Sequence, residues 1–272
     1  MAIGKQIRLN RIFAHPSGRL CSVAVDHFIG YGKLSPGGGL SNLPLALSKI
    51  AAGMPGAVTM SKGTAMNCWA PYAGRIPLIV QAGCFTADDR VIECVTTPEE
   101  CVRLGADAIA IAIGIFGPNE GRFIKMLMDT VARAAQYDLP VIAHIYPRDF
   151  SGTTPRIVFD PEGILWAARV GIEAGADVIK VGYTGEVASF RRVVESSPVP
   201  VVAAGGPRAK NVREALTAMS QVVQAGGRGA TIGRNIWGVA KTTEACRAFK
   251  AVILEGVGVD EALKAEGLTG DE

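Results

Sequence analysis

The chain has 272 residues, 49% of them hydrophobic and 19% charged, with a formal net charge of +3. That apolar fraction excludes disorder, and 33 glycines without a G-x-y period exclude a collagen-like fibre. No basic stripe of the kind that duplex binding needs is present, so nucleic acid is not an expected partner.

The opening MAIGKQIRLNRIF alternates charged and apolar positions and holds no hydrophobic core segment, so no signal peptide is expected and residues 1–20 read as an N-terminal extension. Cys21–Asp26 (CSVAVD) is the first strand, followed by a helix over Leu43–Ala52. Ala57–Ser61 and Ile76–Gln81 are strands two and three, and Pro98–Leu104 is a short helix. Asp107–Ile113 (DAIAIAI) is strand four, Gly121–Tyr137 a helix, and Pro140–Tyr146 strand five. Asp160-Pro161-Glu162 places a capping acid before a helix-starting proline, opening a helix over Pro161–Ala174. Asp177–Val181 and Val199–Ala203 are strands six and seven, each followed by a helix (Glu186–Glu195 and Asn211–Gln224), with Gly175 and Gly226 where C-terminal caps belong. Gly229–Gly233 is strand eight, Lys241–Leu254 the last helix, and residues 256–272 a mixed-charge tail.

Strands this uniformly apolar fit a parallel sheet buried on both faces. Eight of them alternating with helices in this length predict a (β/α)₈ TIM barrel, read as a single domain over residues 1–272. A doubly wound open sheet is the alternative, weakened because no G-x-G-x-x-G follows the first strand. The repeats RLGADAI and EAGADVI mark two helix-turn-strand junctions. Six cysteines without a C-x-x-C pair read as buried reduced thiols, and the longest apolar run, Ala106–Gly117, is too short to span a membrane. A cytoplasmic protein without membrane association is expected.

Active residues of such a barrel lie at the C-terminal strand ends. Asp26 ends strand one and Tyr146 ends strand five before a turn expected at Pro147, while Lys180 interrupts the apolar strand six. A buried lysine loses hydration, its pKa falls, and the neutral amine attacks a carbonyl to form a Schiff base; the bland alternative is an ion pair. An acid, a phenol and an amine at one mouth suit imine chemistry. Glycines after strands seven and eight (AAGGPR and GATIGRN) sit where barrels bind phosphate, assigning Gly205, Gly206, Gly233 and Arg234 to a phosphate, through backbone N–H groups and the arginine side chain. His27, opposite in strand parity to Asp26, is not expected to face the same site if the strand continues, and His144 lies a layer below Tyr146. Neither histidine has metal-ligand spacing, so no metal is expected.

With those residues in view, the chain resembles the archaeal-type class I fructose-bisphosphate aldolase (DhnA) family. GKQIRLNRIF, VDHF, IYPRD, GADVIKVGYTG, AAGGPR and GATIGRN carry the resemblance. The family includes 2-amino-3,7-dideoxy-D-threo-hept-6-ulosonate synthase and an autoinducer-processing thiolase, and RLNRIF looks like the synthase branch. The resemblance implies Lys180 as the Schiff-base lysine, Tyr146 as the principal proton-transfer residue and Asp26 as an assisting carboxylate. It implies no cofactor beyond the covalent imine, a small phosphorylated sugar as substrate, and a homo-oligomer, pentamers and decamers being common in the family. His27, His144 and Arg148 are further substrate or supporting candidates. Phe28 and Asp149 replace glycines frequent in the family, and the stretches LSPGGGL and SKGTAMNCWAPYAG depart from its pattern. Substrate identity is therefore open, and a second phosphate could use Lys33, Lys62 or Arg148. A transaldolase-like or thiolase-like transferase is the first alternative to an aldolase, and a non-catalytic phosphosugar-binding barrel the second.

Overall fold

The computed structural model describes residues 2–27, 39–85 and 92–272. Among them eight parallel strands close into a barrel: β1 (Leu20–Ala24), β2 (Ala57–Ser61), β3 (Leu78–Gln81), β4 (Ala108–Ile115), β5 (Val141–Asp149), β6 (Val178–Gly182), β7 (Val201–Ala204) and β8 (Gly229–Ile232). β1 pairs with both β2 and β8, and β4 with β5, which closes the cylinder. Helices α1 (Ile3–Ile12), α2 (Leu43–Ala52), α3 (Lys62–Cys68), α4 (Pro98–Arg103), α5 (Glu120–Ala135), α6 (Pro161–Glu173), α7 (Val187–Glu195), α8 (Val212–Gln224), α9 (Arg234–Trp237), α10 (Thr242–Lys250) and α11 (Val259–Ala265) complete the fold. None is long and apolar enough to cross a membrane among the described residues.

The expected eight strands are all present. β5 differs most: it runs through Pro147 to Asp149 rather than turning there, because the strand pairs on both sides of the proline. Pro147 is the register partner of Ile115, and Arg148 and Asp149 pair antiparallel with Arg156 and Ile157, so the backbone has partners beyond Tyr146. The N-terminal segment is helical, and the tail is docked: α11 buries Ala262 and Leu263, and Val212 N–H donates to the Glu272 carbonyl. Cys21, Cys101 and Cys246 are buried thiols as expected, but Cys68 is half-buried and Cys94 exposed.

The alternation of side chains along each strand builds the interior in layers. At the bottom, Leu20, Ala57, Ile79, Ala108, Ile142, Val178 and Val202 pack with Ile12 of α1, which plugs the barrel. α1 is anchored by the acids of the two GAD repeats. Asp177, before β6, accepts from Val141 N–H and pairs with Lys5 at 3.0 Å; Asp107, before β4, accepts from Leu78 N–H and pairs with Arg11 at 3.3 Å. Each acid thus joins two strand starts to the plug. Two residues further along their strands lie Ser22, Thr59, Gln81, His144 and Lys180, with Thr231 as register partner of Ser22; all are buried. The barrel is apolar at its base and polar at mid-height.

Truncating the plug should loosen the whole cylinder. Ile12→Ala is expected to cost about 2–5 kcal/mol of unfolding free energy in urea denaturation; a change within experimental error would show that α1 is not part of the core.

Candidate active site

Above the polar layer lies a cavity of about 330 Å³ at the C-terminal ends of the strands. Asp26, His27, Gln81, His144, Tyr146, Arg156, Lys180, Gly205, Gly206, Gly233 and Arg234 all line it. Lys180 is only 6% exposed, on the inner face of β6, where His144 of β5 and Val202 of β7 are its register partners. Tyr146 stands two residues nearer the mouth than His144, packed with Ala112, Ala204 and Ile157.

His27 reaches the same cavity as Asp26, against the parity expectation. β1 ends at Ala24, so strand alternation no longer governs either residue, and His27 Nδ1 lies 3.5 Å from Asp26 Oδ1. The His27 ring also meets Trp237 edge-on at 5.2 Å, and Trp237 Nε1–H donates to the Ala24 carbonyl at 2.9 Å, tying α9 to the end of β1. Gly233 is required here: a Cβ would fall 2.3 Å from His27 Cε1. Gly206 has φ +72°, the left-handed conformation that favours glycine. Gly205 N–H donates to the Thr231 carbonyl at 2.9 Å, so this amide belongs to the β7–β8 pairing and does not face a phosphate as expected. Arg234 reaches across the two loops to the Gly206 carbonyl at 3.4 Å. Asn235 stitches them together, donating to the Gly205 and Pro207 carbonyls and accepting from Ala209 N–H.

Burial sets the electrostatics. It pulls His27 down to about 4, with Asp26 opposing and the charges of Lys180 and Arg234 reinforcing the shift. His144 is held well below the ordinary imidazole range by burial, and further by Lys180. Tyr146 is raised above an ordinary phenol, first by burial and then by the Asp26 carboxylate, while Arg148 and Arg234 pull it back.

Of the residues considered for a second phosphate, neither Lys62 nor Arg148 lines the cavity. Lys62 pairs with Glu100 at 2.8 Å, drawn to α4. Arg148 lies behind Tyr146, its guanidinium 5.9 Å from the ring centroid, and lines a separate small pocket with Asn119, Phe123 and Phe150. Lys33, Phe28 and most of LSPGGGL lie outside the described residues. Arg156 lines the cavity as well and pairs with Asp149 at 2.7 Å. Nothing in the linear pattern marked it, because it reaches the cavity only through the short antiparallel arm after β5. Gln81 was legible as a polar residue ending an apolar strand, the same signal that marked Asp26. Among the described residues no cluster of three or more His, Cys, Asp or Glu side chains could hold a metal ion.

His27 gives the protein a pH signature. An unfolded imidazole takes up a proton near pH 6.5, whereas the folded one resists until about 4. Stability from this group is therefore complete above about pH 6.5 and declines as pH falls, by on the order of 3 kcal/mol once below about 4. Urea denaturation across that range should show a shallower decline for His27→Gln than for the wild type; parallel curves would contradict the assignment.

The site can be compared with known proteins. The model of the DeoC/LacD family of aldolases matches residues 21–238. The 2-amino-3,7-dideoxy-D-threo-hept-6-ulosonate synthase of Halobacterium salinarum is 32% identical over 271 residues, covering 98% of each chain. The crystal structure of an archaeal fructose 1,6-bisphosphate aldolase superposes with TM-score 0.79 and 28% identity, over 93% of this chain and 100% of that one. A further structure, of an archaeal fructose-1,6-bisphosphate aldolase with the catalytic lysine covalently bound to the carbinolamine intermediate of the substrate, gives TM-score 0.79 and 26% identity over 92% and 99%. The resemblance drawn from the sequence motifs and the barrel architecture are both borne out.

Proposed function

Because the chain belongs to the DeoC/LacD family of aldolases, we propose that it is a class I enzyme that reversibly cleaves a phosphorylated ketose through an imine on Lys180. By family default the ketose is fructose 1,6-bisphosphate, giving dihydroxyacetone phosphate and an aldehyde. The observation that carries this reading is a lysine buried on the inner face of β6, beside a phenol and a carboxylate in one cavity.

Each residue has a step that its surroundings favour. A phosphate rests against the loops after β7 and β8, near Arg234, and fixes the ketose C2 over Lys180. The amine form of Lys180 bonds to C2 as the carbonyl π pair moves to oxygen. One amine proton stays on nitrogen, the other passes to that oxygen, and a further proton from Tyr146 completes the departing water. The cationic imine left behind stabilises the Tyr146 phenolate, which burial alone disfavours. The phenolate takes the C4 hydroxyl proton, the C3–C4 bond breaks with its electron pair drawn toward the imine, and an aldehyde and an enamine result. Tyr146 returns the proton to C3, and hydrolysis frees the ketone phosphate. Asp26 orients substrate hydroxyls. The imine is itself the electron sink, so the proposed chemistry uses no metal or organic cofactor.

A transferase of the synthase type is the second reading, favoured by the relative from Halobacterium salinarum that carries that name. Incubation with fructose 1,6-bisphosphate and no acceptor separates the two. Release of dihydroxyacetone phosphate, abolished in a folded Lys180→Ala variant, is expected of the aldolase. Turnover only when an acceptor aldehyde is added would move the assignment to the transferase, and substantial activity in Lys180→Ala would sink the imine mechanism.

A further inference from the structure

Gln81 and His144 form a buried pair for which the steps above have no use, 5% and 2% exposed at the floor of the cavity. Gly83 N–H lies 3.2 Å from Gln81 Oε1; a backbone N–H can only donate, so that atom must be the amide oxygen. The amide nitrogen then donates, and its neighbour at 3.1 Å, His144 Nδ1, accepts. An imidazole that accepts at Nδ1 and that burial keeps neutral carries its proton on Nε2. His144 and Lys180 are register partners on adjacent strands, share the inner face at one level, and line the same cavity.

We propose that His144 is a further catalytic residue whose Nε2–H donates a hydrogen bond to the oxygen on the carbon that Lys180 attacks, with Gln81 as the positioning residue that holds this tautomer. The inference rests on the imine reading of Lys180. As the lysine nitrogen bonds to that carbon, the carbonyl π pair moves onto oxygen, and a fixed donor there stabilises the developing charge. The imidazole keeps its proton, and the proton that neutralises the oxygen is the one leaving the lysine nitrogen. A protonated imidazole would set a second positive charge beside the cationic imine. The neutral Nε2–H supplies the donor without that repulsion.

Rapid-quench borohydride trapping with dihydroxyacetone phosphate measures the rate of imine formation. His144→Phe keeps a ring and loses the donor; it should slow trapping by roughly 10²–10³-fold while reaching the wild-type adduct yield. His144→Gln, which restores an N–H, should recover part of the rate. Gln81→Glu keeps the acceptor for Gly83 N–H but replaces the amide donor with a carboxylate, which draws a proton to Nδ1. Nε2 then donates only when the ring is protonated, so a new ionisation should enter the pH profile of kcat/KM, with activity lost as pH rises through it. The charged and titratable groups that line the cavity with that ring are Lys180 on β6, Tyr146 on β5, Arg156 on the arm after β5, Arg234 after β8, and Asp26 and His27 beyond β1. ¹⁵N NMR of the wild type should report His144 as the Nε2–H tautomer. Wild-type trapping kinetics in His144→Phe, an unchanged profile in Gln81→Glu, or an Nδ1–H signature each overturn the proposal. Failure of the wild type itself to give an adduct is a different result, one that removes the imine reading beneath it.

Discussion

A lysine inside a closed barrel has to be accommodated by the protein instead of by bulk water, and most of this structure follows from that constraint. Burying a charge without partners costs several kcal/mol. The layer that holds Lys180 is accordingly the polar one, with Ser22, Thr59, Gln81, His144 and Thr231 around the same interior. Ser22 and Thr59 hydroxyls lie 3.1 Å apart, and Gln81 joins His144 to Gly83 N–H, so polar atoms pair within the layer. The apolar floor and the α1 plug close the base, and the cavity opens the top.

The loops at the mouth answer to the same geometry. Gly233 leaves room for His27, Asn235 joins the loops after β7 and β8, and Trp237 binds α9 to the end of β1. On the far side the arm after β5 packs Ile157 against Tyr146 and brings Arg156 to the rim, where Asp149 holds it. The substituted glycine position at 149 thus holds Arg156, one of the residues that line the cavity.

Much of the fold was legible because parallel strands buried on both faces must be continuously apolar, a pattern that needs no tertiary information. The two GAD repeats were legible as junctions; that their acids also bind the plug was not, since the pairs Lys5–Asp177 and Arg11–Asp107 join residues 172 and 96 positions apart. Lys180 and Tyr146 stood out as polar residues in apolar strands. The parity that would separate His27 from Asp26 holds only along a continuing strand, and β1 ends before both. The expected turn at Pro147 failed because neighbouring strands, invisible in the local sequence, hold the backbone extended beyond it. Arg156 depends on that continuation and was out of reach for the same reason.

Membership in the DeoC/LacD aldolases and the likeness to archaeal fructose 1,6-bisphosphate aldolases agree with a lysine-centred site, while the synthase relative leaves the natural acceptor to experiment. The most direct test of the central claim is to reduce the protein with borohydride in the presence of dihydroxyacetone phosphate and map the product by peptide mass spectrometry. One reduced adduct, on Lys180, is the predicted result. An adduct on another lysine, or none where binding is shown separately, would contradict it.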